Sequence, residues 1–453
     1  MTFVPLPVQA LSPPDLAARF AERLPPLGSD EALVEANRCL FCYDAPCIKA
    51  CPTGIDIPGF IKKISSGNLK GSARVILEAN ILGASCARVC PVEELCAGAC
   101  VRNDVDRPID IGRLQRHATD YVMARGIRLF EPAAPNGYGV AVVGAGPAGL
   151  SCAAELARAG YAVTVFDRQS VPGGLATYGI IPLREPVAVI RHEIDMVADL
   201  GVRFQQGVTV GGDVGIDELV EGFDAVFLGI GAGAHVYAPP VPGSDLPGVY
   251  DALDLIAAVR TAPLDGIPTG RRVVVVGAGN TGMDALTIAV RLGAERVTCL
   301  YRRTAAEMTA YPSEFEFVKS DGVRFVWQAA PVRYLAGTDD RLAAIECVRM
   351  ALTEPDASGR RWPMAVAGSE FVLEADVAIN ATGQQREADL FDSLGLAHDG
   401  GRLLVDAGSY GTAHPKVFAG GDCVSTGADL TVVAAVEQGK RAARAIMQRI
   451  GVS

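Results

Sequence analysis

Residues 139–168 read GVAVVGAGPAGLSCAAELARAGYAVTVFDR. An apolar run of strand length enters a glycine-rich turn, continues as a helix-length amphipathic stretch, and ends in a second β-branched run. That order is one strand–helix–strand unit. Residues 271–303, RRVVVVGAGNTGMDALTIAVRLGAERVTCLYRR, repeat it. Two such units predict an α/β chain with two Rossmann-like dinucleotide-binding domains on parallel sheets, the second inserted in the first. On that reading residues 136–265 begin the first domain, 266–370 are the insertion, and 371–453 complete the first. The return rests on VFAGGDC (417–423) and the closing helical segment, which have no unit of their own.

The glycines carry the chemistry. In GAGPAG, Gly144 permits a tight turn, Gly146 lets backbone approach a pyrophosphate, and Gly149 allows a helix to pack closely on a strand. The helix starting at Pro147 and Ala148 then offers free N–H groups and a partial positive charge to phosphates. Asp167 ends the next strand, where a carboxylate accepts from ribose hydroxyls, and Arg168 follows it. GAGNTG repeats the design with Gly277, Gly279, Asn280, Thr281 and Gly282. Its second strand ends in Arg302 and Arg303 rather than an acid, and arginines there suit a 2′-phosphate. Gly383 joins the candidates for this second nucleotide. Two dinucleotide folds imply two dinucleotides, a tightly held FAD and an exchangeable NADPH or NADH.

The chain has 453 residues, is 49% hydrophobic and carries a formal net charge of −11. It can bury real cores, and it lacks the basic footprint of a nucleic-acid or anionic-membrane partner. The first twenty residues show no basic segment followed by an apolar one, so no secretory signal is expected. The apolar stretch from Val140 to Leu156 is broken by three glycines and a proline, unlike a spanning helix. A cytoplasmic protein is expected, in which clustered cysteines read as metal ligands before disulfides.

Eight of twelve cysteines lie between Cys39 and Cys100. Residues 1–130 therefore read as a separate α-helical module, with EPAAPNGYG (131–139) as linker. CLFCYDAPCIKACP (39–52) spaces Cys39, Cys42, Cys47 and Cys51 with a closing Cys-Pro; Cys90-Pro, Cys96 and Cys100 form a second block. Cysteine triplets followed by Cys-Pro match the bacterial ferredoxin pattern. Structural zinc and disulfides stay open as alternatives. Spacing alone offers Cys86 as a further ligand of the second block. Cys152 and Cys423 stand alone near the flavin segments, which disfavours a dithiol reductase. Glu437 and Lys440 in VEQGKRAA read as ordinary helix surface, and no catalytic acid or base is expected.

From Arg38 onward the chain resembles the flavoprotein (PreT-type) subunit of bacterial NAD(P)-dependent dihydropyrimidine dehydrogenase, within a wider family of glutamate synthase small-subunit-like FAD/iron–sulfur oxidoreductases. The cysteine block, RPIDIGRLQRHATD (107–120), VVGAGPAGL, PGGLATYGIIPLR (172–184), VVGAGNTGMD and VFAGGDC carry the resemblance. It implies FAD on the first glycine loop with contacts at Gly174, Leu175, Arg184, Asp422 and Thr431, and NAD(P)H on the second. It also implies two crossed [4Fe–4S] clusters: Cys39, Cys42, Cys47 and Cys100 would hold one, and Cys51, Cys90, Cys96 and Gln115 the other. The activity implied is oxidation of NAD(P)H, with electrons leaving singly to an FMN- and iron–sulfur-containing barrel subunit (PreA-like) that reduces uracil or thymine, in a hetero-oligomer. The alternatives are a glutamate synthase small subunit and a stand-alone NADPH:ferredoxin-type oxidoreductase. TAAEMTAYP after Arg303 lacks the further basic groups of the NADPH members, so the choice between NADH and NADPH stays open.

Overall fold

A computed structural model describes residues 11–235, 241–357, 359–385, 388–425 and 430–451. The chain forms two compact units. One comprises Met1–Ala21, Tyr178–Leu183 and His235–Gln385; the other comprises Glu22–Thr177, Arg184–Ala234 and Arg386–Ser453.

Helix α1 (Pro13–Arg19) belongs to the first of these units. Leu16 and the following Phe20 enter its core beside Leu286 and Ile288. Each such burial is worth about 1.5–3 kcal/mol, enough to hold a seven-residue helix that has little stability alone.

The second unit begins with a bundle: α2 (Ser29–Asn37), α3 (Pro46–Ala50), α4 (Ile57–Ser65), α5 (Leu69–Ala79), α6 (Gly83–Val89) and α7 (Ile111–Ala124). The stretch LKGSARVILEANILG (69–83) forms α5, breaks at Asn80 in extended conformation and ends on the first residue of α6. Ile57, Phe60, Ile61 and Ile64 recur at helical spacing and all face the bundle core. Asp56 caps α4 by accepting the Gly59 N–H at 3.0 Å, and Asn68 caps α5 through Gly71 in the same way.

The same unit continues with β1 (Gly139–Val143), α8 (Pro147–Arg158), β2 (Ala162–Asp167), α9 (Val187–Asp199), β3 (Arg203–Gln206) and β4 (Ala225–Leu228). The first unit then supplies β5 (Val249–Asp251), α10 (Ala252–Thr261), β6 (Arg272–Val276), α11 (Asn280–Arg291), β7 (Arg296–Tyr301), α12 (Pro312–Ser320) and β8 (Arg324–Trp327). After it come β9 (Ala329–Ala336), β10 (Leu342–Leu352), β11 (Pro363–Ala365), β12 (Phe371–Glu374) and β13 (Val377–Asn380). The chain closes in the second unit with β14 (Val417–Ala419) and α13 (Val432–Ile450).

Each unit holds a parallel sheet. In one the order is β14–β4–β1–β2–β3, with Val143 opposite both Phe166 and Leu228 and Ala419 opposite Leu228. In the other it is β5–β13–β6–β7–β8, with Val276 opposite Leu300 and Asn380. The inner strands β1 and β6 are short runs buried on both faces, as helices covering a parallel sheet require. An antiparallel sheet of β9, β10, β11 and β12 adds to the first unit, around Tyr334, Ile345 and Cys347. Among the described residues no helix is long and apolar enough to cross a membrane.

Candidate functional site

The first glycine loop lies at the carboxyl end of β1. Gly144 has φ +99°, and a Cβ there would sit 2.4 Å from the Gly229 carbonyl oxygen. A Cβ on Gly149 would lie 1.9 Å from the Gly144 carbonyl oxygen. Neither position tolerates a side chain, and the result is a helix start pressed onto a strand end. Gly146 precedes α8, with Pro147 in its first turn. Asp167 bridges the loop from β2: Oδ2 accepts the Ala145 N–H at 2.6 Å and Oδ1 the Gln169 N–H at 2.7 Å. A carboxylate has about four acceptor sites, so capacity remains for a ribose. Arg168 is exposed.

Three distant segments close around this loop. Gly173 donates to the Ala145 carbonyl at 2.8 Å, and a Cβ on Gly174 would stand 2.7 Å from Gly146 Cα. Gly421 donates to Gln438 Oε1 at 2.7 Å and lies against Ala148. Asp422 follows; burial raises its carboxyl while Arg402 opposes the rise. Thr431 caps α13, accepting the Ala434 N–H at 3.2 Å. Leu175 is 40% exposed and Arg184 half-buried. Gly144, Gly146, Gly149, Gly174 and Gly421 thus form a backbone-lined cradle with an acid on β2, a donor set that fits a dinucleotide pyrophosphate and ribose.

The second loop has the same form. Gly277 has φ +125° and no room for a side chain against the Ala381 carbonyl oxygen at 2.3 Å, and Gly282 would clash with the Gly277 carbonyl oxygen at 2.5 Å. Asn280 Oδ1 accepts the Tyr311 N–H at 3.0 Å, tying the helix start to the segment after β7; Thr281 follows on α11. Arg302 is exposed. Arg303 Nε and Nη2 are buried without a hydrogen-bond partner among the described residues. A guanidinium left so at the end of β7 fits an anionic group such as a phosphate. Gly383 has φ +142° and open space beside it.

The thiols sort into two groups that cut across their order in sequence. Burial pushes the Cys47 thiol up to about 11, with the charges of Cys100 and Cys39 adding to it. Burial likewise raises Cys39, whose charged neighbours are Cys42 and Cys100. These four line one small apolar cleft with Ile57 and Ile61. Phe41, with φ +50°, turns the chain between Cys39 and Cys42. In the other group, burial pushes Cys96 up to about 12 beside Cys51, and Cys90 is raised by its hydrogen bond with Cys86, by burial, and by Cys96 and Cys51. Gln115 is buried on α7, and its Nε2 donates to the Gly83 carbonyl at 2.7 Å. Cys86 and Gln115 therefore both reach the first turns of α6.

All twelve cysteines are free thiols. Among the described residues no three His, Cys, Asp or Glu side chains converge on a point tightly enough for a single metal ion. Thiols spread around a cleft, with no nearby imidazole, fit a multi-iron cage better than tetrahedral zinc. Glu35 braces the Cys100 side: it accepts from Arg38 at 2.6 Å, Arg107 at 2.7 Å and the Asp110 N–H at 2.8 Å. Burial works to raise the Glu35 carboxyl, and these partners together hold it low.

Lys440 corrects the expectation of a helix-surface residue. It is 5% exposed, and its Nζ donates to the carbonyls of Thr53 at 2.9 Å and Ala79 at 2.8 Å while lying 3.0 Å from Glu437 Oε2. Thr53 follows Cys51 by two residues, so the final helix holds the cysteine loop directly. The sequence carried a signal: Val433, Val436, Lys440 and Ala443 fall on one helical stripe, and three of them are apolar.

Comparison with known proteins agrees with this geometry. Residues 17–127 match the family described as dihydropyrimidine dehydrogenase domain II, 4Fe-4S cluster, and residues 138–439 match pyridine nucleotide-disulphide oxidoreductase. The glutamate synthase [NADPH] small chain of Halomonas elongata is 38% identical, over 96% of this chain and 94% of that one. The NAD-dependent dihydropyrimidine dehydrogenase subunit PreT of Salmonella typhimurium is 36% identical, over 92% of this chain and 93% of that one. Among solved structures, Mycobacterium tuberculosis FprA in complex with NADPH superposes with a TM-score of 0.55 at 19% identity, over 69% of this chain and 85% of that one, a likeness of fold.

Proposed function

The chain belongs to the pyridine nucleotide-disulphide oxidoreductase family and carries the dihydropyrimidine dehydrogenase type of 4Fe-4S domain, and from that premise we propose that it is the electron-input subunit of a larger NAD(P)H-dependent oxidoreductase. Its cofactors are FAD, [4Fe–4S] clusters and an exchangeable nicotinamide nucleotide. The flavin, when bound, supplies the conversion between a two-electron hydride and the single electrons an iron–sulfur cluster accepts.

The chain's residues place and separate these groups. Gly144–Gly149, Gly174, Asp167, Asp422 and Thr431 hold FAD; Gly277–Gly282, Arg302, Arg303 and Gly383 hold the nicotinamide nucleotide. Cys39, Cys42, Cys47 and Cys100 hold one cluster, and Cys51, Cys90, Cys96 and Gln115 the other. The observation that carries the reading is the crossed grouping of thiols within the same compact unit as the first glycine cradle, joined to it through Lys440. The acceptor is an FMN- and iron–sulfur-containing partner that reduces uracil or thymine to the 5,6-dihydropyrimidine. The resemblance in RPIDIGRLQR favours this partner. A second reading, input to a glutamate synthase large chain, is favoured by the 38% identity to that small chain and by Arg303 Nε and Nη2, which have no hydrogen-bond partner among the described residues.

Anaerobic purification should give roughly eight irons and one flavin per chain, the content of two [4Fe–4S] clusters and FAD. Bleaching of the flavin by NADH or NADPH in stopped flow should follow. Flavin that stays oxidised with both nucleotides refutes the input role. Reduction of uracil on adding the barrel subunit, against none with a glutamate synthase large chain, separates the two partners.

A further inference from the structure

Two glutamines end β3, and they have opposite fates. Gln205 is exposed, whereas Gln206 turns inward on the same face as the half-buried Phe204. Its Nε2 and Oε1 are both buried, and neither has a hydrogen-bond partner among the described residues. An amide buried with none of its hydrogen bonds made is costly, so a native chain that keeps one calls for a reason.

The face it occupies is the one that carries the first glycine loop. A Cβ on Gly149, at the start of α8, would lie 3.2 Å from Val142 Cγ1, so Val142 faces that helix. Val142 stands opposite Val165, and Asp167 opposite Gln206, in the parallel ladder. Paired residues of such a ladder project to one face, as do residues two apart on a strand. Asp167 and Gln206 therefore lie side by side at the carboxyl ends of β2 and β3. The chain then turns at Gly207, with φ +70°, and is pinned back onto β2. The Gly207 N–H donates to the Gln169 carbonyl at 3.1 Å and the Val208 N–H to the Asp167 carbonyl at 3.0 Å. Asp167 spends its side-chain oxygens on the Ala145 and Gln169 N–H groups, not on the neighbouring amide.

We propose that Gln206 recognises the adenine base of FAD and is a specificity determinant for it. The inference rests on the reading that the first glycine loop holds FAD. Sheet order carries it. The loop that receives a pyrophosphate follows β1, the acid that receives a ribose ends β2, and Gln206 ends β3, the next strand out. Adjacent strands lie about 4.8 Å apart, a step that suits the passage from a ribose to its base. The chemistry agrees with the position. A glutamine amide offers a donor and an acceptor side by side, and adenine presents the complement, a 6-amino group beside a ring nitrogen.

The test compares FAD with an analogue whose base is purine without the 6-amino group. Each is titrated anaerobically into the full chain after its flavin is removed and its iron retained. Wild type should hold FAD about 2- to 10-fold more tightly than the analogue, the worth of one hydrogen bond. Gln206→Leu should weaken FAD about 5- to 150-fold, as for an amide–adenine pair, and abolish the difference between the two ligands. The flavin-free leucine variant should melt no lower than flavin-free wild type, because it no longer buries an unpartnered amide. Equal FAD affinity in wild type and variant, a preference for FAD that survives in the variant, or a lower melting temperature without flavin overturns the proposal. Where Gln206→Leu fails to fold, Gln206→Asn takes its place in the same comparison, its amide one methylene short of the base. Gly149→Ala tests the underlying reading separately. FAD held by that variant as tightly as by wild type sinks the loop assignment and the proposal together, whereas a silent Gln206→Leu overturns the proposal alone.

Discussion

Replacing Lys440 by methionine keeps the length of the side chain and removes its ammonium group. The carbonyl oxygens of Thr53 and Ala79 then lose a donor at 2.9 Å and 2.8 Å in a site where Lys440 is 5% exposed. Hydrogen bonds from a charged group contribute about 1.5–3 kcal/mol each, so the two together give roughly 3–6 kcal/mol. The methionine stem keeps most of the packing, and Glu437, about a fifth exposed, regains water. A loss of about 3 kcal/mol is expected, in the lower part of the range for breaking a buried pair, or roughly a 150-fold change in the folding equilibrium. Urea unfolding of the anaerobic holoprotein measures it, followed by helical ellipticity and iron–sulfur absorbance together, since coincident curves are needed for one free energy. Glu437→Gln should cost less than about 1 kcal/mol, as for a partly exposed pair. If Lys440→Met lies within 1 kcal/mol of wild type, or Glu437→Gln loses as much, the carbonyl contacts do not hold the cysteine loop as argued.

Gly149→Ala places a Cβ 1.9 Å from a carbonyl oxygen and should lower flavin content and Tm, whereas Gly222→Ala, at the last turn of a helix with nothing within 4 Å, should be neutral or raise stability by up to about 1 kcal/mol. Arg303→Gln should raise the KM for NADPH roughly 10- to 100-fold, the worth of a charge-assisted hydrogen bond, and leave that for NADH nearly unchanged; equal effects on both would remove the 2′-phosphate assignment. Gln115→Ala should alter the resonance of one cluster while Cys86→Ser leaves both intact; the reverse would make Cys86 the ligand. Glu193 has a folded-state value of about 8 against an ordinary 4.5, so the folded state binds more protons between them and stability falls as pH rises through that window. The urea midpoint of wild type should drop from pH 6 to 8.5 more than that of Glu193→Gln.

Both glycine loops were legible because each glycine answers a steric demand visible in the motif: Gly144, Gly149, Gly277 and Gly282 have no space for Cβ. The β-branched strands VAVV and RVVVV followed from the same pattern. Less legible was the placement of α1, whose Leu16 and Phe20 show apolar faces without saying which core they enter. Strands β5 and β13 pair side by side in one sheet although 125 residues of chain separate their ends, a non-local pairing that periodicity does not encode. The antiparallel sheet from Ala329 onward is not legible for a related reason: its strands AAPVRYLA and LAAIECVRMAL show no regular alternation of polar and apolar residues, and no glycine motif draws attention to them.

The stretch VEQGK looked like solvent-facing helix because three of its five residues are polar. Apart from Glu437, which pairs with Lys440 on the same helix, its groups are spent on other elements. The Val436 carbonyl accepts from Ser151 on α8, Gln438 accepts from Gly421 on the β14 loop, Gly439 leaves room for the Ala148 carbonyl, and Lys440 reaches Thr53 and Ala79. One turn of the last helix therefore joins the flavin loop, the Asp422 segment and the cysteine loop. Polarity alone misled, because a buried polar residue is stable where its partners are backbone groups left over from loops and helix ends. Such partners come from residues 53, 79, 151 and 421, and no local window contains them. The cysteine module stands first in the sequence and α13 last, yet their contact is direct: a change of side chain at 440 should be felt at Cys51 before it is felt at Gly144, and the order in which iron and flavin are lost from Lys440→Met measures that.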